Sequence, residues 1–273
     1  MVPLKYQLAK KIAIPGGLVN RCFQLQLADE RCFLREGIPY AHALGIDRYR
    51  ELYLLRNSLA SELSPELLYA APETGLLVTR WVDSTSEPLA YWQGESGIQM
   101  LAMLLATIHR SPLRSSYPSI SLDLGKQLRF YLARICVRRK EQTSFFNKAL
   151  ALLDRLPSYH PVLCHNDLNP GNILCRGRWV VDWEYAALGD AAFDIATVCR
   201  TFELSLQQFK RLMEHYHRNG GDCPEARVMA MLRVVDVVSL LWCAVYKEFS
   251  KTTVLDAMYQ TLLQKLIQEE GGW

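Results

Sequence analysis

One stretch of the chain, residues 163–184, breaks the helical pattern around it and constrains the fold more than any other. It reads Leu163-Cys164-His165-Asn166-Asp167-Leu168-Asn169-Pro170-Gly171-Asn172-Ile173-Leu174, turns at Arg176-Gly177, and continues Trp179-Val180-Val181-Asp182-Trp183-Glu184. Short apolar runs around a polar loop are the pattern of buried strands joined by turns. Pro170-Gly171 bends the loop, so Asp167 and Asn172 are expected to face one cleft, with the hairpin returning Asp182 beside them. Oxygen ligands converging in this way suit a hard divalent cation, and Mg²⁺ takes one or two carboxylates plus phosphate oxygens. Phosphoryl transfer needs such a set. One carboxylate orients the attacking hydroxyl and accepts its proton, while metal-held oxygens neutralise charge on the moving group.

The residues before this stretch divide in two. The first ~80 read as strands with one helix. Phe23 to Leu27 alternates apolar and polar residues, Asp29-Glu30 turns, and Cys32-Phe33-Leu34-Arg35 returns, after a glycine turn at Pro15-Gly16-Gly17. Asp47 is placed to cap a helix running to about Ala60, and a short strand, Leu76 to Thr79, follows Gly75. Around residues 83–88 the composition shifts to Asp, Ser, Thr, Glu and Pro, which marks a boundary between residues 1–82 and 83–273. Beyond it helices dominate: Ile98, Leu101, Leu104, Leu105 and Ile108 form one apolar face, and Leu128–Arg139 and Lys148–Leu156 read as further helices. The expected class is α+β, a small antiparallel-sheet lobe with one helix on a larger, mainly helical lobe.

Composition excludes some partners. A net charge of +3, with no dense Lys/Arg tract, argues against nucleic acid. No apolar leader is visible at the N-terminus. The most apolar run, Val234 to Tyr246, is too short to span a bilayer and carries Asp236, so it reads as a buried helix. Eight scattered cysteines with no C-x-x-C pair read as reduced thiols. A cytoplasmic protein without a membrane partner is expected.

The spacing His-x-Asp-x-x-x-x-Asn, followed ten residues on by an Asp after an apolar strand, is that of a kinase catalytic loop. In these residues the chain resembles the superfamily of choline/ethanolamine kinases, thiamine kinases and aminoglycoside phosphotransferases, a branch of the protein-kinase-like fold, and the resemblance runs from Gly16 to about Phe249. It implies a bilobal kinase fold with ATP and Mg²⁺ between the lobes. Asp167 would be the catalytic base, with Asn172 and Asp182 as metal ligands; Asp194, in Gly189 to Ala196, would buttress the catalytic loop, and His165 would be structural. Gly16, Gly17 and Asn20 would cover the phosphates, although the stretch departs from G-x-G-x-x-G and is equally a plain turn. Arg35 stands where most kinases have the phosphate-binding lysine, as in choline- and thiamine-kinase-like sequences; it can still hold phosphate in bidentate fashion, and Glu51 would orient it. Thr79, Trp81 and Val82 would meet adenine.

Trp242, Tyr246 and Phe249, spaced i, i+4, i+7, fall on one helix face. Such a stripe is often core, but the resembling kinases use aromatics there to hold a quaternary ammonium by cation–π attraction. Glu184, Tyr185 and Asp236 would add negative charge near the same mouth. The expected acceptor is a small cationic alcohol of the choline, ethanolamine or thiamine type. An aminoglycoside acceptor is the enzymatic alternative, and a nucleotide-binding pseudokinase the non-enzymatic one.

Overall fold

The computed structural model describes residues 3–15, 17–57, 60–83, 86–113, 117 and 120–269. After a short helix, α1 (Leu4–Leu8), come strands β1 (Lys10–Ile14), β2 (Arg21–Gln26) and β3 (Arg31–Glu36), helices α2 (Arg48–Asn57) and α3 (Ala60–Leu63), and strands β4 (Leu67–Ala71) and β5 (Leu76–Arg80). The five strands form one antiparallel sheet in the order β1-β2-β3-β5-β4. The expected hairpin is β2–β3, with Leu25 opposite Cys32 and Cys22 opposite Arg35. Alternation turns Cys32 and Leu34 into a core shared with Leu25, Val78 and Tyr6, and turns Arg35 to the other face. Asp47 caps α2, its Oδ1 accepting from the backbone N–H of Tyr49 and of Arg50, both at 3.0 Å. Among the described residues of this lobe, α2 is the one helix longer than five residues, and it carries Glu51 to the face where Arg35 points.

The glycines at the base of the sheet set its geometry. Gly37, just after β3, and Gly75, just before β5 with φ +69°, touch backbone to backbone. A Cβ on Gly37 would sit 2.9 Å from Gly75 Cα. Gly37→Ala is therefore expected to lower stability by about 1–3 kcal/mol through overpacking, seen as a lower denaturant midpoint with an unchanged slope; an unchanged midpoint would refute the close approach.

The rest is mainly helical: α4 (Leu89–Trp92), α5 (Glu95–His109), α6 (Leu124–Leu132), α7 (Lys140–Arg155), α8 (Ala191–Thr201), α9 (Leu206–Arg218), α10 (Glu225–Lys247) and α11 (Thr253–Gln268). Two small ladders lie between α7 and α8: β6 (Val162–Cys164) with β9 (Ala187–Gly189), and β7 (Ile173–Leu174) with β8 (Trp179–Val180). The predicted apolar face of α5 is buried, with Leu101, Leu105 and Ile108 fully so. The helix expected over Leu128–Arg139 instead starts at Leu124, where Asp123 Oδ1 accepts from Lys126 N (2.9 Å), and ends at Leu132. The helix expected over Lys148–Leu156 begins eight residues earlier, at Lys140, and ends at Arg155; Gln142 closes it by accepting from Arg139 N (2.8 Å). Likewise α10 is longer than the run Val234–Tyr246. At 23 residues it is long and apolar enough to cross a membrane, but most of its apolar window is buried in the protein. Five of the eight cysteines are buried as free thiols: Cys32, Cys164, Cys199, Cys223 and Cys243.

Candidate active site

Between β6 and β9 the chain builds a loop and a tight hairpin, as the 163–184 pattern predicts. Asp167 follows β6, Asn172 ends the 3₁₀ turn Pro170–Asn172, and Asp182 follows β8. Asn166 and Asp182 both adopt left-handed backbone, φ 63° in each, which Asn and Asp tolerate better than other side chains. The loop is held by its own amides. Asn172 Nδ2 donates to Asp167 O (2.9 Å) and lies 3.3 Å from Oδ2, while Asn169 Nδ2 donates to Asp167 O (3.2 Å). His165 is fully buried; Asp167 N donates to its Nδ1 (3.3 Å), so its Nε2–H donates to Val181 O (3.1 Å). Burial holds this imidazole below its ordinary pKa, and thus neutral.

Behind the loop sits Asp194, fully buried in the first turn of α8. The cap of that helix is Asp190, accepting from Ala192 N (3.0 Å) and paired with Arg227 (2.7 Å), so Asp194 is not an N-cap. Its carboxylate accepts from His165 N (3.0 Å), Asn166 N (2.8 Å) and His109 Nε2 (3.1 Å). Burial alone would raise its pKa; the hydrogen bonds from the His109 ring and from the His165 backbone outweigh that and hold it below the ordinary value. His109 also meets Tyr216 OH through Nδ1 (2.8 Å), tying α5 and α9 to the loop. His109, the last residue of α5, carries no signal of this role in its sequence spacing.

Charge converges on the cleft from both lobes. Arg35 donates to Glu51 through Nη1 (2.6 Å) and Nη2 (2.7 Å), the bidentate fork typical of arginine and carboxylate, and its Nη1 lies 3.3 Å from Asp182 Oδ1. Burial acts against the Arg35 charge, but Glu51, Glu184 and Asp182 outweigh it and raise its pKa. Burial likewise works to raise Glu51, and Arg35 and Arg48 reverse the shift. Glu184 is buried and accepts from Arg48 Nη1 (2.6 Å) and Asn20 Nδ2 (2.9 Å). Burial and the Asp182 carboxylate push it up to about 7.

Asp167 is raised well above its ordinary pKa, first by burial and then by the Asp182 and Glu184 carboxylates; hydrogen bonds from Asn169 and Asn172 offset this only in part. Asp182 is raised by burial against the lowering pull of Arg35. Among the described residues Asp167 has amide partners and no ion-pair partner. Asp167, with no cationic partner among the described residues, Asp182, with a single contact to Arg35 (3.3 Å), and the Asn172 side-chain amide are the residue types a divalent cation takes. The residues fit such an ion.

The aromatic side chains gather at the end of α10. Trp242 Nε1 donates to Tyr185 OH (2.8 Å), and the Trp242 and Tyr246 rings meet edge-on at 5.3 Å. Tyr40 stacks on Phe249 (4.7 Å, 7° between planes) and lies 6.0 Å from Tyr246. Tyr246 OH donates to Leu18 O, and Asn166 Nδ2 donates to Tyr185 O (3.0 Å), so the cluster touches both the glycine turn and the loop that carries Asp167. Tyr40 belongs to this group without any signal in its sequence spacing. Asp236 does not belong to it: it is buried between Arg200 (2.6 Å) and Lys265 (3.0 Å), which neutralise it. Glu184 is spent on Arg48 and Asn20 in the same way.

Gly17 adopts φ +80°, and Gly16 lies outside the described residues. Thr79 is buried on β5, while Trp81 donates from its backbone to Arg31 O (3.2 Å) and from Nε1 to Asp83 (2.9 Å). Val82 follows it, partly buried.

Known proteins place this arrangement. Protein LicA of Haemophilus influenzae is 25% identical over 256 residues, covering 85% of this chain and 72% of LicA. The fold matches the crystal structure of choline kinase LicA from Streptococcus pneumoniae with a TM-score of 0.81 at 20% identity, over 96% of this chain and 95% of that one. It matches macrolide 2'-phosphotransferase type I with a TM-score of 0.67 at 16% identity, over 92% and 90%. A model of the phosphotransferase enzyme family matches residues 13–232, well over half of the chain, and with the kinase-like fold around Asp167 and Asp182 this shows that the chain belongs to that family.

Proposed function

We propose that the chain transfers the γ-phosphoryl group of ATP to the hydroxyl of a small cationic alcohol of the choline, ethanolamine or thiamine type. The observation that carries the choice of acceptor is the aromatic cluster of Tyr40, Tyr185, Trp242, Tyr246 and Phe249, joined at the Tyr185 backbone to Asn166, the residue beside Asp167. Ring faces attract a quaternary ammonium, most strongly when water is excluded. Asp167 orients the hydroxyl and takes its proton; Arg35, held by Glu51, meets phosphate oxygens. Asn172 and Asp182 would hold Mg²⁺, which supplies charge neutralisation for the transferred group. Thr79, Trp81 and Val82, at the end of β5, would border the adenine, and Gly16, Gly17 and Asn20 the phosphates.

A polycationic acceptor such as an aminoglycoside needs several unspent carboxylates. Asp236 and Glu184, the nearest candidates in sequence, are already paired. A pseudokinase would have no use for Asp167, Asn172 and Asp182 together.

Initial rates with choline, ethanolamine, thiamine, an aminoglycoside and a neutral carbon isostere of choline test the reading. Choline is expected to exceed its neutral isostere in kcat/KM by about tenfold, the worth of one desolvated cation–π contact. Trp242→Ala should raise KM for the cationic acceptor more than it lowers kcat. Equal kcat/KM for choline and the isostere would remove the aromatic cluster from acceptor binding.

A further inference from the structure

Arg48, which no sequence motif singles out, joins three separate segments of the chain. It is the first residue of α2 and only 8% exposed. Its Nη1 donates to Glu184 Oε2 (2.6 Å) and to Glu51 Oε2 (3.2 Å), and its Nη2 donates to Asn20 Oδ1 (2.7 Å). Asn20 closes the ring by donating from Nδ2 to Glu184 Oε2 (2.9 Å). One guanidinium thus ties the glycine turn, helix α2 and the turn Trp183–Tyr185, which directly follows Asp182.

The charge count shows what the tie does. Glu51, Glu184 and Asp182 are three carboxylates facing two guanidinium groups, Arg35 and Arg48. Arg48 satisfies Glu184, so Arg35, whose Nη1 lies 3.8 Å from Glu184, stays committed to Glu51 and Asp182. Without Arg48, the buried Glu184 would draw Arg35 toward itself, because a buried carboxylate left unpaired is costly. The glycine turn would lose its anchor in the same step.

We propose that Arg48 is a positioning residue for the nucleotide: acting through Glu184 and Asn20, it keeps Arg35 and Asp182 in register with the glycine turn. The proposal rests on the reading of ATP as phosphoryl donor. It requires no contact between Arg48 and the nucleotide.

The test is calorimetric titration of ATP, with and without Mg²⁺, into the wild type, Arg48→Met, Glu184→Gln and the double variant, alongside melting curves. Arg48→Met leaves Glu184 buried and unpaired, and a lower melting temperature is expected. The double variant removes both charges of that pair and should regain most of the lost melting temperature. ATP affinity is the decisive readout. It is expected to stay about tenfold or more weaker in the double variant than in Glu184→Gln alone, the scale of coupling between linked sites. Equal affinity in those two folded proteins would overturn the positioning role and leave Arg48 as a buried counter-charge. If the wild type bound no ATP, the reading of the donor would fall, and the proposal with it; normal wild-type binding with an unaffected double variant would sink the proposal alone.

Discussion

Asp167→Asn is expected to lower kcat by about 10²–10⁴-fold, the usual worth of a positioned general base, while making the protein more resistant to heat. The second half follows from the charge around Asp167. Burial and the Asp182 and Glu184 carboxylates raise its pKa, so the folded protein binds this proton more tightly than the unfolded chain does. The stability that comes from this protonation is present in full below the ordinary value of 3.8 and is lost as pH rises through the folded value. Asparagine never ionises and so never incurs the loss. Without metal, Asp167→Asn should melt above the wild type at pH 8, by roughly 2–4 °C for each kcal/mol of repulsion removed, and with it at pH 3. Catalytic carboxylates are commonly held in such unfavourable surroundings. A variant that melted below the wild type at pH 8 would show that the carboxylate stabilises the loop.

The largest loss of stability is expected at Asp194. Its carboxylate accepts from two consecutive backbone amides, of His165 and Asn166, and from buried His109. Truncation to alanine leaves those donors unpaired in a dry interior. The expected cost is about 3–5 kcal/mol, enough to consume a large part of a typical domain's stability. Asp194→Asn keeps one acceptor oxygen but places an N–H₂ where a donor already points, so a smaller loss is expected. Urea denaturation of both variants measures this. If Asp194→Ala unfolded at the wild-type midpoint, the carboxylate would not be what holds the loop of His165 to Asp167.

The segment around Asp167 was legible because its chemistry is local. Pro170-Gly171 forces the bend, and the short runs on either side of Arg176-Gly177 pair with each other as β7 and β8. The β2–β3 hairpin was legible for the same reason, since alternation over Phe23 to Leu27 repeats the sheet's two-residue period. Strands β1 and β4 were not. Lys10 to Ile14 is almost wholly exposed, and Leu67 to Ala71 is partly buried along most of its length, so neither carries a one-sided pattern. Helix α7 starts earlier than expected because its first turn, Lys140 to Thr143, is polar and bears no hydrophobic signal, and α10 reaches back to Glu225 because Arg233 sets its apolar residues Val228 to Leu232 apart from the run Val234–Tyr246.

The cleft network was beyond the reach of spacing. Arg48 and Glu184 lie 136 residues apart and meet only once the two lobes pack. The pairing of Arg35 with Glu51, across 16 residues, was within reach, because a strand arginine and a carboxylate on the next helix form a familiar pair. Glu184 and Asp236 illustrate the converse limit. Sequence shows that a carboxylate is present, but only the fold shows that an arginine or lysine has already neutralised it.

The destination of the phosphoryl group separates transfer to an alcohol from hydrolysis. Phosphorus NMR of the wild type with MgATP and choline should show ADP and a phosphate monoester of the alcohol growing together in equal amounts, with no such growth for Asp167→Asn. ADP accompanied only by inorganic phosphate, or the same monoester formed at a similar rate by Asp167→Asn, would contradict it.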